Sequence, residues 1–544
     1  MNPRNIDEIL MWRNVKIVIF YTINKSPFRL LFTLIFALSV ITSQAQFVGT
    51  PYIGYISKPV PPSTEGMDFW MAFADNYNTT FYGSGTGVVP YFALNIASQL
   101  ATTITISITA NSHSYTYNLA AGVSRQIRLD SMRNDGSAPS TAIDERLNVY
   151  LGSSGAAIFG ASSRTLHITS SNPISVYAFN TQQYSTDATV VYPTAAWGTD
   201  YYQLAYHPQS TYIGNEIIIA NQNGTDIFVN SNSSTPTATL TAGQAYVTNG
   251  GYADLTGRHF RSSKPVAYFA GATGMYIPFG TGSGDALDEQ MLPTNTWDTA
   301  YFVPNVPEFT NPSASNNNRI RIVASQNGTV VKYTGASLPA SLSLGPNFTG
   351  NNQIASGQTL DSGKWVELAI SGNTNTGGAY ITASKPIGVA GYLLGNNSGN
   401  GIGSSSNGDP DNAMMPGLRQ MIQQTTFSPF IFPSSPALGY TNFYQSTAVH
   451  GAVIVTPTSN TGNITMQKGG TGANLLTIGS WVNDTNGSGM STYRHTFSNT
   501  DINSSFTITN NNPTAGNGII VLCYGIASAE SYFYNAGSGA YSLQ

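Results

Sequence analysis

The chain is most constrained by internal repetition: short signals recur along it in one fixed order, the mark of a tandem array of similar structural units. The first signal is an aromatic opening. Gly66-Met67-Asp68-Phe69-Trp70 resembles Trp197-Gly198-Thr199-Asp200-Tyr201-Tyr202 and Trp297-Asp298-Thr299-Ala300-Tyr301-Phe302, and Thr425-Thr426-Phe427-Ser428-Pro429-Phe430 is a weaker fourth copy. The second is a pair of β-rich runs around Asn-Gly, Asn215 to Val229 and Arg319 to Val331, which the turn chemistry reads as hairpins. Leu94 to Ile106 and Ala452 to Met466 are looser copies. A Gly turn follows at Leu119–Gly122, Leu240–Gly243 and Ile354–Gly357. The last signal is a closing strand after a Pro turn: Ser171-Asn172-Pro173-Ile174, Ser263-Lys264-Pro265-Val266 and Ser384-Lys385-Pro386-Ile387. In this alignment His167 falls at the position of Phe260, a strand residue.

Strand-length apolar runs with turn signals between them predict an all-β chain of four tandem β-sandwich-like units. They run over residues 66–193, 194–293, 294–416 and 417–544, after a linker at 46–65. A closed pseudo-fourfold ring and an open row are both compatible with the repeats. Only 9% of the 544 residues are charged, yet 31 Tyr and 25 Phe argue against disorder. The formal net charge of −4 gives no footprint for nucleic acid, and one Cys excludes a disulfide scaffold. That residue, Cys523, lies in an apolar run and reads as core.

Residues 1–45 read as a signal peptide. Arg13, Lys16, Lys25 and Arg29 precede the apolar run Leu30–Ile41, and Ser43-Gln44-Ala45 is a small-x-small cleavage pattern. The run is too short for a stable span, which needs about 20 residues, so no membrane span is expected in the mature chain. Met11 is an alternative start. The leader carries five of the 22 basic and two of the 26 acidic residues, which leaves a net charge of −7 after removal.

Each unit passes to the next through a polar loop, an acid and a Pro. The candidate ligand-binding acids are Asp187, Asp285, Asp288, Glu289, Asp409 and Asp411. Calcium takes six to eight oxygens, which such loops supply. The simpler reading, local turn capping by Asp, is preferred, because no EF-hand spacing is present. No cofactor is otherwise implied. The chain has no nucleophile elbow, zinc-protease helix, Walker loop or dinucleotide fingerprint, and its six His are dispersed. An acid pair for glycoside hydrolysis within Asp285–Glu289 is the enzymatic alternative.

Gly66-Met67-Asp68-Phe69-Trp70 resembles the start of the IgGFc-binding protein amino-terminal domain family. Asp254-Leu255-Thr256-Gly257-Arg258-His259-Phe260, the acidic segment Asp285 to Pro293, and Tyr524 to Gly537 are also similar to that family. The resemblance runs from about residue 66 to 540 and implies a secreted β-rich recognition domain, here of bacterial type. Immunoglobulin binding does not transfer with it, and the family's Cys before the acidic segment is replaced by Gly284. The chain ends soon after the closing motif, so no carboxy-terminal sorting module is expected. The expectation is a non-enzymatic, exported binding or adhesion protein at the cell surface, recognising an extracellular protein or glycan through loops on a rigid scaffold. A structural component of a surface assembly is the third reading.

Overall fold

In the computed structural model the chain divides into two parts, residues 1–48 and 49–544. The structure describes residues 11–12, 15–16, 63–76, 90–136, 141–153, 156–157, 159–182, 185–209, 212–229, 233–278, 284–306, 318–339, 356–371, 377–395, 408–432, 448–469, 474–498, 501–502, 504–512, 516–527 and 530–543. In the first part only Met11–Trp12 and Val15–Lys16 are described, as an antiparallel pair. The apolar run and cleavage pattern of the expected signal peptide lie outside the described residues. No described helix is long and apolar enough to cross a membrane.

The second part is all-β. Three sheets are each organised around one long strand: Leu166–Gln182, His259–Met275 and Gly378–Leu393. These strands run straight through Pro173, Pro265 and Pro386, so the expected Pro turns are irregularities inside continuous strands. Proline removes one ladder donor, and the register with the opening strand shifts there in each sheet. Ahead of each Pro buried side chains such as Ile168, Phe260 and Ile381 alternate with partly exposed ones; beyond it burial is uninterrupted, from Val266 to Met275 for example.

The expected hairpins are also not hairpins. Gly214–Ala220 and Thr225–Phe228 do not pair with each other. Both pair with His259–Met275, the first along its buried half and the second along its outer half, and the Asn223-Gly224 turn joins them. Lys264 Nζ donates to Asn223 O across this kink, as Lys385 Nζ donates to Asn327 O in the next sheet. The last long strand is divided. Phe506–Asn510 and Ile520–Ala527 take its two halves in separate sheets, with the insertion around Pro513 between them. Register also corrects one equivalence: His167 pairs with Trp70 and His259 with Tyr202, so His167 corresponds to His259 rather than to Phe260. Each imidazole stacks on its aromatic neighbour and contacts an acid, Asp68 or Asp200. Cys523 is fully buried, and burial pushes its thiol up to about 12, so it is core as expected.

After each long strand the chain turns back into a short inner strand paired along its buried half: Ser185–Val191, Asp285–Gln290, Asp411–Met414 and Glu530–Gly537. Every residue of these four strands is buried. They lie against one another: Ser185–Val191 and Asp411–Met414 each contact both Asp285–Gln290 and Glu530–Gly537.

Neighbouring sheets are fastened by glycine turns. The turn amides of Gly122, Gly243 and Gly363 donate to Ser98, Ala220 and Ala324 carbonyls respectively. The third turn is therefore at Gly363, not at the expected Gly357, which sits one strand earlier. Each turn rests on another sheet. Ser505 Oγ donates to Gly122 O, Thr165 Oγ1 donates to Gly243 O, and Gly363 packs on Gly257. Gly257 has φ +83°, and a Cβ there would fall 2.0 Å from the Gly363 carbonyl oxygen. Gly257→Ala is expected to cost about 2–4 kcal/mol, from backbone strain plus overpacking, measured by equilibrium urea unfolding. An unchanged midpoint would mean that the two turns separate freely.

Candidate functional site

Five of the six acids singled out in the sequence do not sit in loops. Asp187, Asp285, Asp288, Glu289 and Asp411 lie on the inner strands, and Asp409 just precedes one. None exposes more than 8% of its surface. Sequence reasoning missed a seventh, Glu530, at the start of the last inner strand and 1% exposed. Its place after a long apolar strand, equivalent to that of Asp285, was the available signal.

These side chains hold the inner strands to one another. Ser185 Oγ donates to Asp285 Oδ1 at 2.5 Å, and the Asp288 amide donates to Asp187 Oδ2 at 2.9 Å. The Met414 amide donates to Glu289 Oε1 at 3.0 Å, and the Asp409 amide to Ser531 Oγ at 3.0 Å. Thr186 donates to Glu530. So Asp187, Asp285, Glu289 and Glu530 bond across sheets, while Asp285 and Asp411 also accept the amide of the residue that follows, Ala286 or Asn412.

Among the described residues no Lys, Arg or His forms an ion pair with Asp187, Asp285, Asp288, Glu289 or Asp411. An uncompensated buried carboxylate is expensive, so the neutral form is favoured. Burial pushes Asp187 up to about 7. It also raises Asp285 well above the usual carboxylate range, with further repulsion from Asp409 and Glu530. Asp288, Glu289 and Asp411 are raised mainly by burial. Among the described residues no N–H or hydroxyl donates to Asp187 Oδ1, Asp285 Oδ2, Asp288 Oδ1, Glu289 Oε2 or Asp411 Oδ2, while the Asp187 and Asp411 carboxyls lie within hydrogen-bond reach of each other. No three described His, Cys, Asp or Glu side chains group as a metal centre.

The Gly-rich loops expected to carry recognition, 279–283 and 396–407, lie outside the described residues, but their ends are placed. The Gly395 amide donates to Ile277 O, and the Gly408 amide to Ala527 O. The chain therefore enters the 396–407 segment beside the start of 279–283 and leaves it beside the start of 528–529.

The family model described as IgGFc binding protein matches residues 187–522, more than half of the chain. The chain belongs to the IgGFc-binding protein family. The match begins at Asp187 and contains all six acids found from sequence. It is narrower than the resemblance, since Gly66 to Trp70 and the closing segment beyond Leu522 fall outside it. Family membership suggests a binding or adhesion role and implies protein binding. No curated protein and no solved structure matches the chain.

Proposed function

We propose that this IgGFc-binding family member is an exported, non-enzymatic adhesion protein of the bacterial cell surface. It recognises an extracellular protein or glycan through the loops that join long strands to inner strands. The observation that carries this reading is the convergence of loop ends at Ile277, Gly395, Gly408 and Ala527. A rigid scaffold that gathers variable polar loops at one place is how binding domains present a recognition face. The four repeats, at 66–193, 194–293, 294–416 and 417–544, are read as a closed ring. Three groups of contacts support that: the mutual packing of the inner strands, the bond from Asn95 to Pro429 O, and the bond from Tyr177 to Ala536 O. The hydrolase alternative is disfavoured because Asp285 and Glu289 are 0% and 1% exposed.

The test is a binding array of extracellular proteins, immunoglobulin Fc among them, and glycans. It compares the unaltered chain with one in which residues 397–406 are replaced by a short Gly-Ser linker. Loss of a specific signal by at least tenfold, at an unchanged unfolding midpoint, is expected. Binding that survives the replacement removes the loop from the reading. Polysaccharide turnover abolished by Glu289→Gln replaces binding with catalysis.

A further inference from the structure

Two inner strands from sheets that do not pair, Ser185–Val191 and Asp411–Met414, lie in contact. Each pairs only with its own long strand. What they bring together is two carboxyls. Asp187 is 4% exposed and Asp411 fully buried, and the two groups lie within hydrogen-bond reach of each other. One oxygen of each is engaged: Asp187 Oδ2 accepts the Asp288 amide at 2.9 Å, and Asp411 Oδ1 accepts the Asn412 amide. The other oxygen of each, Asp187 Oδ1 and Asp411 Oδ2, receives no N–H or hydroxyl among the described residues. Two carboxylates in this position would repel in a medium that screens them poorly, and each would keep an unsatisfied acceptor. A single proton between them removes both penalties.

We infer that the Asp411 carboxyl donates its proton to the Asp187 carboxylate, and that this one hydrogen bond is a proton-operated latch between the two strands. Asp411 is the donor because it faces other acids, Asp187, Asp285 and Glu289, which favour its neutral form. Asp187 is the acceptor because the Asp288 and Ala188 amides both point at it, which favours its charged form. A hydroxyl donating to a carboxylate is among the stronger hydrogen bonds. The charged groups that face the two carboxyls from packed strands are all acids: Asp285, Asp288 and Glu289. Glu530, on the last inner strand, takes the Thr186 hydroxyl. The long strands place uncharged Asn180 and Leu393 opposite Asp187 and Asp411. No described cation pairs with either carboxyl once the proton leaves. The two groups titrate as one system. Asp187 loses its proton as pH rises through about 7, which leaves the bond in its acid–carboxylate form. Asp411, held well above the usual carboxylate range, loses its own at higher pH, which breaks the bond. Both groups lie above their unfolded values near 4, so the stability they contribute is whole at low pH and is lost as pH rises through the folded values. Asp411 closely follows the 396–407 segment, so the latch holds the strand into which that loop returns.

The experiment takes the purified chain from pH 6 to 10. Infrared spectroscopy follows the protonated-carboxyl band, and deuterium exchange, corrected for base catalysis, follows Ser185–Val191 and Asp411–Met414. Part of the band is expected to survive at pH 8.5 and to be removed by Asp411→Asn. As that part is lost at higher pH, exchange in both segments is expected to speed up at least tenfold. In Asp411→Asn the side-chain amide donates to Asp187 with no titrating proton, so exchange stays flat with pH. A band at pH 8.5 that Asp411→Asn leaves unchanged, or exchange that accelerates equally in that variant, overturns the latch. If the variant does not fold, the unsubstituted chain still decides: loss of the band and onset of exchange share one midpoint if the latch exists, and separate midpoints overturn it.

Discussion

Replacing Arg321 by Met is expected to cost about 3–5 kcal/mol in equilibrium urea unfolding, the price of uncompensated buried charge. Arg321 is 1% exposed and lies between two sheets. Its Nε meets Glu367 Oε2 at 3.0 Å, and its Nη1 meets Asp254 Oδ2 at 2.8 Å and Thr256 Oγ1 at 2.7 Å. Nη1 also donates to Ala205 O, and the guanidinium lies over Tyr206 and Trp365 at 3.8 and 4.2 Å. Met fills most of the volume but strands Asp254 in the interior and leaves Glu367 with only Arg319, at 3.4 Å. Because the loss comes from those charges, adding Asp254→Asn and Glu367→Gln to Arg321→Met is expected to restore much of it. A loss under about 1 kcal/mol in the single variant, against the range for a broken buried pair, would mean that Asp254 and Glu367 swing out to water.

The second expectation is an inverted pH dependence: in chelated buffer the chain loses stability as pH rises from 6.5. The Asp285 carboxyl, held above its ordinary range by burial and by Asp409 and Glu530, binds more protons folded than unfolded. Its contribution is whole below the unfolded value near 4 and falls by about 1.4 kcal/mol per pH unit above it, until the folded value is passed. His450 works oppositely. Burial holds its pKa down to about 3, so it costs stability as pH falls below 6.5 and is silent above. The window above pH 6.5 therefore isolates the carboxyls. Urea midpoints at pH 6.5 and 7.5 are expected to fall for the unsubstituted chain and to fall less for Asp285→Asn, which stays neutral while Ser185 still bonds it. Equal slopes in the two proteins would mean that Asp285 is ionised in the folded state.

Much of the architecture was legible because apolar alternation and turn residues are local. The aromatic openings, the all-β class and the core position of Cys523 follow from such signals. The errors came where pairing is non-local. Asn223-Gly224 has the chemistry of a hairpin turn, but the flanking strands pair with His259–Met275 instead, since a long buried strand offers each more ladder and more burial than they offer each other. Pro265 looked like a turn ahead of a closing strand, yet a bulge absorbs the missing donor and the strand runs through it. Gly357 and Gly363 are both turn glycines, and only contact with Gly257 distinguishes the one that fastens sheets.

The acids mark the boundary most clearly. From the sequence by itself came the recurrence of acids followed by a Pro at three unit junctions, in a chain poor in charge, and an order of motifs that resembles one family. Whether Asp187, Asp288 and Asp411 face water or each other was decided only by the tertiary structure. Side chains in a strand alternate between two faces, and solvent covers one face only until a second sheet packs against it. Here the inner strands pack on one another, both faces are closed, and Asp187, Asp288 and Asp411, which read as solvated loop acids, become buried carboxyls with no ion pair among the described residues.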